Sequence, residues 1–269
     1  MDANTAHDTA HLPPLPQRPR NLFPLWATAL VGLAWLIGAH LDISPKTLIY
    51  GWEDMLEYLG RYGSPDFSNT PKYLKLMLET VAMGFWGTVF AFVAGFILAP
   101  FAARNLSPNA WTYNLAREAL NFMRAMPDVL LALVLIAGGL GLGPLAGALA
   151  LGIHTAGFLG KFFAESLERV ERGRYEALDA VGASFSQKLM YAGWPSILRE
   201  MSGYTLYILD RNIRTGAVLG LVGAGGIGIA LYDTLRMFDY NQSAALLIIL
   251  IVTIVLLDRL SSFIRGKLQ

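Results

Sequence analysis

Three long stretches of this chain carry no charged residue: Asn21 to Leu41, Val81 to Ala103 and Val129 to Gly160. Each is long enough to cross the ~30 Å apolar core of a bilayer as a helix, and the third exceeds one crossing. In lipid every backbone N–H and C=O must be satisfied within its own segment, so such runs fold as helices. Composition agrees, with 54% hydrophobic and 15% charged residues, against roughly a quarter charged in soluble domains. The expected fold class is an all-α membrane protein. A formal net charge of +1 and the lack of a basic stripe give no reason to invoke nucleic acid. The chain has no cysteine, which excludes disulfides, thiolate metal sites and cysteine nucleophiles. Its histidines, His7, His11, His40 and His154, are too scattered for metal-ligand spacing.

Read in order, the chain opens with a polar tail, 1–21, rich in proline (Pro13, Pro14, Pro16, Pro19). The first apolar run follows Arg18 and Arg20, as a signal peptide would. Its length, and the lack of a small-x-small cleavage site, favour an uncleaved first span. Residues 42–80 are mixed and aromatic (Tyr50, Trp52, Tyr58, Tyr62, Phe67), with a turn at Gly63-Ser64-Pro65-Asp66, and read as helices lying along the outer interface. The second span is Val81 to Ala103. The third and fourth, about 120–140 and 145–163, are joined by the glycine-rich turn 138–147. A fifth, about 201–222, holds Asp210, Arg211 and Arg214, and a sixth runs from about 242 to 260. Most Lys and Arg fall in 1–21, 104–124, 164–200 and the C-terminal end, whereas the outer segment 41–80 has only Lys46, Arg61, Lys72 and Lys75. By the positive-inside rule both termini face the cytosol. The expected organisation is a cytoplasmic tail over 1–21, a transmembrane domain over 22–264 with a cytoplasmic loop at 164–200, and a cytoplasmic end at 265–269.

That loop carries the most specific pattern. Ser166 to Val181 reads as a helix with an interrupted apolar stripe (Leu167, Val170, Ala177, Ala180, Val181). Gly182 follows it where a left-handed stop suits glycine. Ser184 with Gln187 fits a capping box that starts a second short helix, and Pro195 suits the first turn of a third. Glu176-Ala177, Gly182 six residues on and Pro195 thirteen after that resemble the EAA loop of ABC importer permeases. The match departs at Leu178, where the family has a second alanine, and at Ala192 and Trp194, where it has aliphatic residues. Asn212 to Gly228 (NIRTGAVLGLVGAGGIG) resembles permeases of the phosphonate and methionine types. Leu235 to Leu247 (LRMFDYNQSAALL) and Pro65 to Ser68 (PDFS) resemble the phosphonate branch.

The resemblance implies a type I ABC importer permease fold with six transmembrane helices. In that family the loop is the coupling element that lodges in the ATP-hydrolysing subunit, here Glu176, Ala177, Asp179, Gly182, Ala183 and Ser184. It also implies a second permease copy or paralogue, two cytoplasmic ATPase subunits that bind ATP and Mg, an extracytoplasmic substrate-binding protein, and the bacterial inner membrane. Transport would proceed by alternating access, with no cofactor and no enzyme activity in this chain. The substrate would be a phosphonate, phosphite or related phosphorus oxyanion.

Charges inside a span are expensive, about 2.5–3.5 kcal/mol each, and face a cavity or a partner. Asp210 and Arg214, four apart, can neutralise each other on one helical face, which leaves Arg211 to find its own partner. A guanidinium also matches phosphate or phosphonate geometry bidentately. Asp210, Arg211, Asn212 and Arg214 are therefore the expected translocation residues. Gly223, Gly225, Gly226, Gly228 and Pro127 are the expected gate or hinge positions. Gly223 to Gly228 also matches G-x-G-x-x-G, but a dinucleotide site requires strand–helix units that the pattern lacks; close packing at the outer end of span five suits these glycines better. Arg124-Ala125-Met126-Pro127-Asp128 resembles the family's R-x-x-P element, for which a simple helix start is sufficient. His154 reads as a packed, hydrogen-bonded histidine. Competing functions are a permease for another solute such as an amino acid, an ATP-independent channel, and an intramembrane enzyme, which would need a nucleophile–base pair.

Overall fold

A computed structural model describes residues 22–41 and 45–268, so the proline-rich tail lies outside the described residues. Every described element is a helix, and no strand occurs among the described residues. The chain divides into two compact units, 1–59 and 60–269. In the first, α1 (Phe23–His40) buries no residue and turns Phe23, Trp26, Leu30 and Trp35 outward. Helix α2 (Pro45–Gly60) exposes Tyr50, Trp52 and Leu56.

The second unit is built on three long helices: α3 (Thr70–Ala102), α6 (Pro144–Arg169) and α9 (Trp194–Gly220). The others are α4 (Ala110–Ala125), α5 (Asp128–Leu135), α7 (Arg172–Ala180), α8 (Phe185–Lys188), α10 (Ile227–Arg236) and α11 (Tyr240–Leu268). Helices α4 and α5 lie on α6, and α10 and α11 pack against α9. Four helices, α1, α3, α6 and α11, are long and apolar enough to cross a membrane, and α4 with the 128–140 segment makes a fifth if that bent pair counts as one span.

Several boundaries differ from expectation, each for a local reason. Helix α3 begins at Thr70, eleven residues before the apolar run, because Pro71 suits a first helical turn. The expected third span is broken instead of straight: α4 and the following helix meet at 87°. Pro127 drives the preceding Met126 to an extended backbone (ψ 118°), which ends α4. Residues Ile136–Leu140 form a π-helical turn, so the expected 138–147 hairpin shrinks to the positive-φ glycines Gly139, Gly141 and Gly143 before Pro144 starts α6. Helix α10 was not expected, and α11 continues through the expected basic tail to Leu268. Helix α9, which carries Arg199, Glu200, Asp210, Arg211 and Arg214, is not among these apolar helices.

The core sits between α3, α6 and α9, where small residues bring the backbones together. Ala91, Leu159, Phe163, Leu167 and Ile197 are buried in one cluster, and Met83, Leu151, Leu219 and Ala224 in another. The turn after α9 docks tightly: Thr80 Oγ1 accepts from Ile227 N (2.9 Å), and Gly143 N donates to Gly223 O (3.1 Å). Gly228 lies against α9, where a Cβ would meet the Ala217 carbonyl and stand 2.7 Å from Gly220 Cα. These backbone atoms have no room to move aside, so Gly228→Ala should cost about 1–3 kcal/mol. Nothing lies within 4 Å of a Cβ at Gly203, and alanine there should stabilise by about 0.5–1 kcal/mol. Thermal midpoints of the detergent-solubilised variants should therefore move in opposite directions; an unchanged midpoint for Gly228→Ala would refute the close approach.

Candidate translocation site and coupling loop

The charges of α9 segregate by helical face. Asp210 is buried and pairs with Arg214 one turn later, whose side chain is half exposed. Arg211 is left to a different neighbour. Its Nη2 lies 3.1 Å from His154 Nε2, and its guanidinium carbon sits 4.8 Å from the Phe158 ring centre, both on α6. His154 Nδ1 is 2.7 Å from the Met126 carbonyl at the α4–α5 break. A carbonyl only accepts and a guanidinium only donates, so Nδ1 carries the hydrogen and Nε2 the lone pair. His154 is thus the neutral tautomer, joining three elements through two hydrogen bonds.

Helix α4 ends at the same place. Arg124, in its last turn, sets its guanidinium carbon 5.7 Å from the same Phe158 ring. Among the described residues neither Arg124 nor Arg211 has a carboxylate within ion-pair distance, whereas Arg117, Arg169, Arg174 and Arg214 do. An aromatic face returns about 0.5–2 kcal/mol to a cation, less than the ~2.5–3.5 kcal/mol of placing one arginine in a span. The ring alone does not offset the charge, and an anion would.

Asn212, expected beside these residues in the pathway, sits elsewhere. It is fully buried between α3 and α6, with Nδ2 donating to Thr88 Oγ1 (3.0 Å) and Thr155 Oγ1 (3.2 Å). Its Oδ1 lacks a hydrogen-bond partner. That geometry holds the three-helix contact together. The expected hinge glycines, Gly223 (φ 98°), Gly225 (φ 91°) and Gly226 (φ 71°), adopt backbone that side chains avoid. Gly225 abuts Pro144 and Gly226 abuts Thr80, so the turn is clamped to α3 and α6. Pro127 marks the α4–α5 bend.

The cytosol-assigned loop divides where α6 ends. Val170 is extended (ψ 135°), so the helix expected over 166–181 is two, the end of α6 and then α7. Gly182 has φ 73°, and Ala183 N donates back to Leu178 O (2.9 Å), closing α7 as expected. The Ser184–Gln187 capping box is formed in both directions. Lys188 Nζ reaches Asp179 across the turn at 2.7 Å. After α8, a π-helical turn, Leu189–Gly193, leads without interruption into α9, where Pro195 sits in the first turn. Tyr175 and Leu189 are buried, Phe185 stacks on Phe101, and Trp194 stacks on Phe96 (4.1 Å). Glu176, Ala177, Asp179, Gly182 and Ser184 remain exposed, with Ala183 half-buried. Val181, Met190 and Tyr191 are 77%, 67% and 75% exposed, an apolar fringe beside them that the motif did not flag. Where the loop meets the bundle, Arg169 Nη2 and the Ser166 hydroxyl both donate to Glu200 Oε2, the former at 2.8 Å.

The two segments quoted as specific to the phosphonate branch also meet. Asp66 N donates to Asn241 O (3.0 Å), and Tyr73 Oη to Gln242 Oε1 (3.0 Å). The Ser68 amide and hydroxyl both donate to Asp66 and hold its carboxyl below the usual carboxylate range. Phe158, Thr88 and Thr155 carried no sequence signal, since an apolar or hydroxyl side chain in a helix does not announce the guanidinium or amide it meets on another helix. Arg124 was visible but was satisfied by a helix-start explanation.

Residues 91–268 match the family described as the binding-protein-dependent transport system inner membrane component. The phosphite transport system permease protein PtxC of Stutzerimonas stutzeri is 35% identical over 231 residues, 86% of this chain and 82% of that protein. The putative phosphite transport system permease protein HtxC of the same organism is 36% identical, over 88% of this chain and 83% of its own length. The phosphate-import permease protein PhnE of Mycolicibacterium smegmatis is 37% identical over 88% of this chain and 44% of its own length. Among solved structures, the MetNI methionine ABC transporter in an inward-facing conformation superposes with a TM-score of 0.63 at 23% identity, over 73% of this chain and 95% of that one. A likeness at that identity speaks for the fold, and the family match and the relatives together decide membership: the chain belongs to the inner-membrane permease components of binding-protein-dependent ABC importers.

Proposed function

We propose that this chain is the membrane-spanning subunit of an ATP-driven importer for phosphite, phosphonate or related phosphorus oxyanions. The observation that carries the anion assignment is Arg211, a guanidinium held inside the helix bundle by a neutral histidine with no carboxylate to cancel it. The names of the relatives, phosphite and phosphate import permeases, supply the phosphorus chemistry. The working unit would contain six spans per chain, α9 being the polar one, with both termini in the cytosol of a bacterium. A second permease chain, two ATPase subunits holding ATP and Mg, and an extracytoplasmic binding protein would complete it. The loop 164–200 supports this reading: its exposed, capped elbow offers Glu176, Asp179 and the fringe of Val181, Met190 and Tyr191 to a soluble partner. ATP-driven movement of that partner would displace α8 and α9 and so change which side the α9 charges face. The two states must differ in their contacts with ATPase and binding protein for nucleotide to drive the exchange.

Arg211→Gln should reduce phosphite uptake at least tenfold while the complex still assembles on a size-exclusion column. Arg214→Gln should act differently, because it strands buried Asp210 without a partner and lowers stability by about 1–3 kcal/mol. Adding Asp210→Asn to Arg214→Gln should then recover folded protein. Normal uptake by both arginine variants would sink the assignment of this span. The natural chain has no cysteine, so Ser184→Cys places a unique thiol on the elbow. That thiol should crosslink to the nucleotide-hydrolysing subunit and react with a membrane-impermeant maleimide only after the cytosolic side is opened. Labelling from outside intact cells would invert the topology and end the proposal.

A further inference from the structure

Resting on the oxyanion-import reading, we propose that Arg124 and Arg211 form a single binding station for one doubly charged tetrahedral phosphorus oxyanion, at the junction of the α4–α5 break, α6 and α9. Sequence places these arginines 87 residues apart, yet both guanidiniums lie against one Phe158 ring, at 5.7 and 4.8 Å. Two like charges held against one ring in a partly buried site repel each other, and no carboxylate among the described residues pairs with either. A dianion cancels both at once, and a guanidinium fork matches a pair of its oxygens.

The surroundings are built to hold this convergence. His154 uses both ring nitrogens, one on the Met126 carbonyl and one on Arg211, so it orients Arg211 without adding or removing charge. It draws one donor from the guanidinium, leaving the rest of that fork for a ligand. Gly157 brings the other arginine in. A Cβ there would lie 2.5 Å from the Leu120 carbonyl and 2.7 Å from Arg124 N. Only a residue without a side chain lets the last turn of α4 lie on α6 directly beside Phe158. Among the described residues the only side-chain acceptor for Arg124 is Asn121 Oδ1 at a stretched 3.4 Å, one turn back on the same helix. A basic residue at a helix C-terminus is commonly explained by the helix dipole, but that explanation leaves the shared ring and the glycine seat unaccounted for.

The bend places the station where it can open and close. Arg124 sits two residues before Met126, the hinge of the 87° break, while Arg211 rides on α9, which is continuous with the loop's π-turn. A movement that separates α4 from α9 splits the pair and releases its anion.

The test uses the complete transporter, purified and reconstituted with its ATPase and binding-protein partners. Arginine modification by phenylglyoxal, mapped by mass spectrometry, should be slowed at both Arg124 and Arg211 by millimolar phosphite or methylphosphonate. Glutamine or methionine should give no protection. In proteoliposomes Arg124→Gln and Arg211→Gln should each cut phosphite uptake tenfold or more. The double variant should fall far less than the product of the two, as residues sharing one ligand require. Arg124→Lys should recover part of the loss by keeping the charge. A lipid phosphate shares this chemistry, so detergent-solubilised transporter is also tested with phosphatidylglycerol micelles. Protection by the lipid but not by phosphite would overturn the station. Protection at Arg211 alone, or wild-type uptake by Arg124→Gln, would overturn it while leaving the oxyanion-import reading standing. No phosphorus oxyanion uptake by the unmodified transporter would instead overturn the import reading itself.

Discussion

Close approach of helix backbones through small residues is the constraint on which this structure depends. In lipid, apolar side chains gain nothing by leaving one hydrocarbon surface for another, so association rests on packing and interhelical polar contacts. Gly84 meets Ile213 of α9, Gly87 meets Leu151 of α6, and Gly95 meets Gly160, each with no space for a Cβ. These contacts line α3 along its length and set its distance from both partners. Asn212 with Thr88 and Thr155 adds a polar tie at the centre of the same three-helix seam. With the seam fixed, α4, α5, α10 and α11 are placed by what they lay against it.

Charge is distributed around that seam with economy. One face of α9 carries a self-cancelled pair, Asp210 and Arg214, and the adjoining face carries Arg211, held by a ring and a neutral imidazole that leave its charge in place. The first arrangement asks nothing of a ligand, and the second leaves unspent donors. One helical residue separates the charge that is cancelled within the chain from the one that is not.

Much of this was legible from residue types alone. The uncharged runs located α1, α3, α6 and α11, because length and apolarity are what a bilayer demands. Gly182 and the Ser184–Gln187 box were legible for a different reason: left-handed backbone and cap hydrogen bonds are local requirements met by very few residues. What failed to appear in the sequence was non-local or depended on geometry. Pro127 signalled a break, but the 87° turn depends on where α6 receives α5. The split at Val170 follows the mild extended preference of a β-branched residue, too weak to read against a helical pattern, and the π-turn at Leu189–Gly193 has no residue signal of its own. Asn212 shared a helix with Arg211 and was grouped with it, though one residue's rotation buries its side chain in the seam against Thr88 of α3 and Thr155 of α6. Helix α10 is short, and its glycine-rich approach masked it as a turn.

The uninterrupted run from α8 through the π-turn into α9 has a mechanical meaning. At about 1.5 Å per residue, Phe185 and Arg211 are the ends of a rod of roughly 40 Å. A few degrees of tilt applied at the solvent-facing end therefore sweep the far end through ångströms, on the scale of a hydrogen bond. The π-turn and Pro195, which has no backbone N–H to donate, are where that rod departs from regular helical pairing, close to its solvent-facing end.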